Sequence, residues 1–563
     1  MSEQNQNENR DSIKRVACLC SLSALALWVA QPPLGLWPAA CIALLPWLHL
    51  ARTKSNWTKR TWLVVWFISA LYYFLSLQGL RHAHPLMIFP ALALAIYLAV
   101  YQLLFVLFLR NALRSSRSLI FAAPIIWVGL ECVRNYFLTG ISALMLAHSV
   151  ADFTIAIQIA DLFGSYGISF VLVAVNVAID AGIQICRGNS QRRINATAIT
   201  FGLVLVAATL LYGRYRLGQP LEPSKANFAL IQRSEPVEYV QSDERAVEIF
   251  QAYLRQTEQA IEASDLQLDA VVWPESMFSA GLPWMTLADD AIVPPEANIS
   301  RAELTEFVNQ GQSRFGDRVA YVRSILDQAQ TDPPVELLVG CGVVRYSQQA
   351  EVYSGVLQID KLGEVADWYG KTHLVMFGEY IPIASWIPGI RALIPAGMGL
   401  TVGPGPQVMK VGQTTVLPVI CIETAVERIV VNQLAELSKK SATTDVLVTV
   451  TNDGWFDNSS VIEHHLRCGQ LVAVATRRPL LSAANNGPTV WIDSCGRIVE
   501  RLETGSEGAL IASPQLDARK SLYVRIGAIP AWVCAFGTLV IGLVSRQRVS
   551  PAAPSAASEQ SRT

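Results

Sequence analysis

Val416-Leu-Pro-Val-Ile-Cys421-Ile-Glu423 reads as a buried strand that stops on a thiol. The run is short, apolar and rich in β-branched residues, which suits a strand covered on both faces. Two other runs of the same kind end in chemistry-bearing side chains. Asp269-Ala-Val-Val-Trp-Pro-Glu275 ends on a carboxylate behind a proline, and Tyr369-Gly-Lys371 ends on an ammonium. Rigid strands aim the side chains just beyond their ends, so the three can meet at one edge of a sheet. Pro274 fixes the chain where it leaves its strand and limits how far Glu275 can wander.

Further short β-rich runs occur at Phe228 to Gln232, Leu337 to Val344, Gly355 to Ile359, Val446 to Val450, Leu480 to Ala484 and Val490 to Asp493. Stretches with apolar residues near the 3.6 period, Glu244 to Ala263 and Glu463 to Thr476, lie between them. Strands alternating with helices predict a layered α/β domain over residues 226–520.

The rest of the chain is different. Of the 563 residues, 52% are hydrophobic and only 16% charged, and the apolar residues are concentrated at 14–213 and 527–545. Runs of about 20 apolar residues predict seven spanning helices near 14–31, 34–51, 61–80, 86–109, 118–138, 165–186 and 195–213, and an eighth near 527–545. Lys14 and Arg15 before a short apolar run resemble a signal peptide, but a second apolar segment follows Pro32-Pro33 at once, which fits a helical hairpin. The tails 1–13 and 546–563 are polar or rich in Ser, Ala and Pro, too poor in apolar residues to bury a core.

Cations fall on alternate loops: Arg52, Lys54, Lys59 and Arg60, then Arg110, Arg114 and Arg117, then Arg187, Arg192 and Arg193. The positive-inside bias puts these loops and both tails in the cytoplasm and the α/β domain outside it, which in a bacterium is the periplasmic face of the inner membrane. Inside the spans, Glu131 and Arg134 stand three residues apart. Charge at membrane depth is costly, so the pair is either functional or self-neutralising, with Asp161 and Asp180 as weaker cases.

The net charge of −1 and the lack of a long basic block argue against nucleic acid. The ten cysteines show no C-x-x-C spacing, and neither a disulfide framework nor a metal site is expected. Gly370-Lys371-Thr372 resembles the end of a phosphate loop, but Val365 occupies the position where that motif needs glycine. His464 and His465 diverge by about 100° on a helix and cannot chelate together, so they read as polar or helix-surface residues, as do His82 and His84 in a short loop. A thiol becomes a nucleophile when a base removes its proton or a nearby cation lowers its pKa. Glu275 as base and Lys371 as cation and oxyanion partner supply both for Cys421. Taken singly, each has a plainer reading: a packed cysteine, a first-turn helix acid, a loop lysine.

Trp273-Pro-Glu275, Gly370-Lys371-x-His373-Leu-x-x-x-Gly378-Glu379-Tyr380-x-Pro382, Cys421-x-Glu423 and Thr451-Asn-Asp-Gly-Trp-Phe456 together resemble the carbon-nitrogen hydrolase (nitrilase) superfamily. With the multi-span part, the resemblance narrows to the apolipoprotein N-acyltransferase family and extends to Glu131-x-x-Arg134, Gly140, the stretch 158–167, Arg478-Pro479 and Asn486-Gly487. It implies a multi-span α-helical membrane domain plus a nitrilase-like αββα sandwich, with catalytic Glu275, Lys371 and Cys421 and supporting Glu379 and Glu423. It also implies a phospholipid acyl donor, a diacylated apolipoprotein acceptor, a thioester on Cys421 and no cofactor; a monomer is expected. The alternative is a membrane-anchored amidase acting on a small amide. The sequence departs from the family pattern at Ile422, Tyr353-Ser354, Ile231-Gln232 and Gly454. The apolar stretch 381–405, with Trp386 and Ile387, is expected to dip into the membrane surface and gate lipid entry, and Trp455 to line the substrate path.

Overall fold

A computed structural model describes residues 3–53, 57–114, 118–188, 191–237, 242–293, 298–330, 332–376, 378–380 and 399–547. The N-terminal part is helical: α1 Glu3–Ala30, α2 Leu45–Arg52, α3 Lys59–Ser76, α4 Ile88–Arg114, α5 Leu119–Tyr136, the single turn α6 Thr154–Ile157, α7 Ala160–Cys186 and α8 Arg192–Leu217. Among the described residues, five stretches are long and apolar enough to cross a membrane: Ser12–Ala30, Pro85–Leu113, Leu119–Thr139, Ala160–Cys186 and Arg192–Leu217. The multi-span expectation therefore stands in its coarse form.

Three of the eight expected spans, 34–51, 61–80 and 527–545, are not among these five: the last two are the helices Lys59–Ser76 and Ile529–Gln547, and the first is broken. Residues 34–51 do not form one helix; a 3-10 turn, Trp37–Cys41, is followed by the eight-residue α2. Pro38 and Pro46 lack the N–H that a continuous helix needs, and each starts its own short segment. Asn176 of α7 covers the break: its amide donates to Ala40 O at 2.8 Å and its oxygen accepts from Leu44 N at 2.9 Å. That satisfies backbone groups that lipid cannot. The broken segment still runs the height of the bundle. Gly35 lies against Arg467 of the α/β domain, whereas His49 accepts a 2.9 Å bond from Arg15 at the opposite end. Arg52 pairs with Asp180, and Arg110 donates to Leu50 O at 2.8 Å, at that same far end.

The α/β domain contains β1 Phe228–Gln232, α9 Asp243–Glu262, β2 Ala270–Trp273, β3 Trp284–Leu287, α10 Arg301–Ala329, β4 Glu336–Tyr346, β5 Ala350–Ile359 and β6 Val365–Gly370. It continues through β7 Met409–Val411, β8 Thr414–Ile420, α11 Ile422–Ala425, α12 Glu427–Lys439, β9 Val446–Thr451 and α13 Ser460–Thr476. β10 Leu480–Ala484, β11 Val490–Ile492, β12 Ile498–Arg501 and β13 Gly508–Ala512 complete the sheets, and α14 Leu522–Ile526 leads to α15 Ile529–Gln547. One sheet runs β13-β1-β2-β4-β5-β6, with β3 beside β4; the other runs β12-β11-β10-β9-β8-β7.

Alternation along the strands builds the sandwich. Phe228, Leu230, Val272 and Leu338 of one sheet meet Val416, Ile420, Val448 and Val450 of the other in a shared core. Residues of opposite parity, such as Ile231 and Val271, pack under α9 and α10, while Leu417 and Leu447 pack under α12 and α13. The layers are helix, sheet, sheet, helix, as the sandwich expectation requires.

Helix α13 is covered on its far side too. Leu471, Val474 and Ala475 share a core with the membrane helices, so the two parts are packed together directly. Charge reinforces the joint. Asp161 of α7 is held by Arg216 at 2.5 Å, Arg477 at 2.9 Å and the Tyr212 hydroxyl at 2.8 Å, and Arg477 is itself fully buried. Asp161 and Asp180 are thus ion-pair partners. Glu131 accepts from Trp127 and from the backbone of Leu146, both at 2.9 Å, and Arg134 donates to the Tyr73 hydroxyl at 3.4 Å.

Candidate active site

The three expected side chains do converge at strand ends. Glu275 follows β2 by two residues, Lys371 follows β6 directly, and Cys421 follows β8. Lys371 Nζ lies 3.2 Å from Glu275 and 2.5 Å from Glu379, with 1% of its side chain exposed. Burial works against the Lys371 charge, but the two carboxylates outweigh it and hold the ammonium above its ordinary value. Glu379 is steered by a second bond, accepting from Val375 N at 2.7 Å. Burial, with Glu275 adding, pushes its carboxyl above the usual range against the pull of Lys371.

Local backbone fit explains the placement. A Cβ on Gly340 of β4 would lie 2.2 Å from Pro274 O and 2.6 Å from Glu275 Cα, so glycine there lets Glu275 pass close to the sheet. Ser354 of β5 binds both members of the pair. Its hydroxyl donates to Glu275 Oε1 at 3.0 Å, and its carbonyl accepts from Lys371 N at 2.9 Å. The serine at this position therefore keeps a polar contact to Glu275.

Cys421 sits on a sharp turn between β8 and α11 with φ 48° and ψ −113°, a conformation that costs a side-chain-bearing residue on the order of 1–3 kcal/mol. Its N–H donates to Val450 O at 3.0 Å. Burial pushes the thiol well above its ordinary value, Glu275 adds to the rise, and Lys371 opposes it. The resting group is therefore a thiol, not a thiolate.

Glu423 is a brace. Fully buried, it accepts from Thr372 N at 2.7 Å, Thr372 Oγ1 at 2.6 Å, His373 N at 3.2 Å, Ile420 N at 2.8 Å and the Tyr369 hydroxyl at 2.8 Å. One carboxylate thus ties the lysine segment to the residue preceding Cys421.

Sequence reasoning missed other members. His465 is not a surface residue: its Nε2 lies 3.1 Å from Cys421 O and its Nδ1 3.2 Å from Asp453 Oδ1. His465 is half-buried, and His464 is buried, at 2% exposed. Both corrections have one cause, since α13 is enclosed by the second sheet on one side and by α7 on the other. The Glu-His-His triplet carried no spacing that could reveal this. Trp455 lies in the turn Asp453–Phe456, partly buried, beside the His465 partner. Trp386 and Ile387 fall outside the described residues. At the described end of that segment, Gly399 N and Leu400 N both donate to Glu379 O, at 2.8 and 3.1 Å. Among the described residues, no group of three or more His, Cys, Asp or Glu could hold a metal ion.

Residues 239–523 match the carbon-nitrogen hydrolase family, and residues 23–178 match the apolipoprotein N-acyltransferase N-terminal domain. An apolipoprotein N-acyltransferase of Rhodopirellula baltica is 43% identical over 549 residues, covering 92% of this chain and 95% of that protein. The chain belongs to the apolipoprotein N-acyltransferase family. A relative of the same name in Geobacter metallireducens is 28% identical over 81% of this chain and 79% of its own length. Among solved structures, an amidase from Nesterenkonia sp. is 17% identical and covers 55% of this chain and 95% of its own, with a TM-score of 0.32. As a family member the chain is a multi-pass acyltransferase, and the amidase alternative has only that distant structural likeness behind it.

Proposed function

We propose that this enzyme moves an acyl chain from a phospholipid to the free α-amine of a diacylglyceryl-cysteine on an apolipoprotein, through a thioester on Cys421. The observation that carries the reading is the buried Glu275–Lys371–Glu379 cluster at the strand ends beside Cys421, in a domain whose helix α13 packs into the membrane bundle. In the first step Glu275 takes the thiol proton as Sγ attacks the ester carbonyl. Lys371 faces the developing oxyanion together with the backbone N–H of Ile422; losing one such donor costs about 10²- to 10³-fold. The C–O bond to glycerol then breaks, and Glu275 returns its proton to the departing lysophospholipid. In the second step the lipopeptide amine attacks the thioester, the C–S bond breaks, and the amine proton passes by way of Glu275 to the sulfur. Replacing an ester by an amide is favourable, so the exchange needs no nucleotide.

The position of the cations supports one orientation. Arg52 and Arg110 lie at the bundle end away from the α/β domain. With cations kept to the cytoplasm, the catalytic domain faces the periplasm of a bacterial inner membrane, where the acceptor's lipid anchor also lies. We take the working unit to be a monomer.

Purified enzyme incubated with phospholipid should gain one acyl mass, removable by hydroxylamine and absent in Cys421→Ala. A diacylated lipopeptide should then discharge the adduct as an amide. No adduct in the wild type, or an unchanged adduct in the alanine variant, defeats the mechanism. Discharge to water alone would favour the amidase reading.

A further inference from the structure

The proposed chemistry leaves His465 and Asp453 without a role, yet His465 touches the backbone of Cys421 and Asp453 holds His465. His465 Nε2 lies 3.1 Å from the Cys421 carbonyl, and Nδ1 lies 3.2 Å from the Asp453 carboxylate. A carbonyl oxygen and a carboxylate only accept. A neutral imidazole has one N–H and one lone pair, so it would set a lone pair against one of these oxygens, whereas an imidazolium donates to both. Asp453 is itself fixed: it is 3% exposed and accepts from the Thr451 hydroxyl at 3.2 Å. The carbonyl that His465 grips belongs to the residue with φ 48°, where the backbone most needs an outside hold.

We propose that His465 is a positioning residue for Cys421: carried as an imidazolium by Asp453, it pins the strained turn and sets a fixed positive charge behind the sulfur. This gives the Asn452-Asp-Gly-Trp455 turn a function, that of holding the carboxylate that keeps the histidine charged. Burial opposes that charge, and Asp453, the Cys421 carbonyl and the more distant Glu275 together outweigh it, leaving the imidazole above its ordinary range.

Charged groups on the elements packed around α13 are engaged elsewhere. Asp161 of α7 binds Arg216 and Arg477, Glu427 of α12 binds Ser165, and Glu423 beyond Cys421 binds the lysine segment. His82, from the turn after α3, faces Asp457, and His148 faces Cys468. On α13 itself, Glu463 pairs with Arg501 and Arg467 with Asp152. Asp453 and Glu275 are thus the acids that act on His465, and Lys371, which pulls the thiol down, is taken up by Glu275 and Glu379.

The inference rests on Cys421 being the reactive thiol, but its test does not require acyl transfer. The full-length enzyme in detergent is treated with iodoacetamide from pH 5.5 to 9, and the alkylation rate at Cys421 is read by peptide-resolved mass. Below the thiol pKa the rate follows the thiolate fraction, so a lost positive charge shows as a constant drop in the logarithm of the rate. His465→Gln, neutral at every pH, should run about tenfold below wild type wherever the histidine carries its charge, equivalent to one pKa unit. Asp453→Asn should match that drop at pH 8–9 and close on wild type as the pH falls and the imidazole regains its proton unaided. A merely structural histidine predicts no such convergence.

Rates for His465→Gln within twofold of wild type at all pH values would overturn the proposal, as would an Asp453→Asn deficit independent of pH. Thermal unfolding of both variants checks the fold, and if His465→Gln does not fold, the pH-dependent gap of Asp453→Asn decides alone. Failure of the wild type to form an acyl adduct, with the alkylation offsets intact, would reject the acyl-transfer reading and leave this one standing.

Discussion

Changing Glu423 to glutamine alters no volume and removes one acceptor, which makes it a sharp test of whether that residue braces the site. The amide will turn its NH2 toward the side with fewer donors. Oε1 receives Thr372 N, Thr372 Oγ1, His373 N and the Tyr369 hydroxyl, whereas Oε2 faces Ile420 N and the same hydroxyl. The orphan is therefore Ile420 N–H, buried and pointed at another N–H, at a cost of about 1–3 kcal/mol. The bonds to Oε1 also lose their charge assistance, in part offset by the easier burial of a neutral amide, so the net loss should be about 2–3 kcal/mol. Ile420 immediately precedes Cys421, the proposed nucleophile, and relief of this clash displaces it. A misplacement of about 1 Å costs roughly 10²-fold in rate. Two measurements check this: single-turnover formation of the acyl adduct by intact mass, and thermal unfolding in detergent. Glu423→Gln should lower both, whereas Tyr369→Phe, which removes one donor and keeps the carboxylate, should change the rate by less than tenfold. If Glu423→Gln lost stability but acylated within threefold of wild type, Glu423 would be a folding residue and the brace argument would fail.

Asp161→Asn leaves the buried Arg477 and its neighbour Arg216 facing a neutral amide, and should destabilise the joint by about 3–5 kcal/mol, seen as a lower unfolding temperature and faster proteolysis near residues 217–226. The acid limb of the acylation rate should report Glu379. Burial and Glu275 raise its carboxyl, so on acidification it takes up a proton at a pH above the ordinary 4.5 and leaves Lys371 with one carboxylate; the rate should fall there, and Glu379→Gln should flatten that limb at a reduced rate.

The placement of Glu275, Lys371 and Cys421 was legible because each follows the end of a strand whose apolar run stands out in the sequence. Cys421 and Glu275 stand behind runs such as Val416 to Ile420 and Ala270 to Trp273, which are strands in the structure. Elements outside that pattern were not: β13, which borders β1, carries no strong period, and the 29-residue α10 is too polar to announce its buried face. The second span failed for a related reason. Hydropathy over residues 34–51 registers apolar content but not the missing N–H groups of Pro38 and Pro46, nor that Asn176, more than 130 residues away, would bind the exposed backbone. His465 was lost to tertiary context, since a helix covered on both sides shows no polar face for a histidine to depart from.

The shared core between α13 and α7 has a practical corollary. Freed from the bundle, the catalytic half would present Leu471, Val474 and Ala475 to water on the very helix that carries His465. A truncated soluble version would therefore lose register at Cys421 as well as solubility, and inhibitor screens have to use the lipid- or detergent-embedded enzyme.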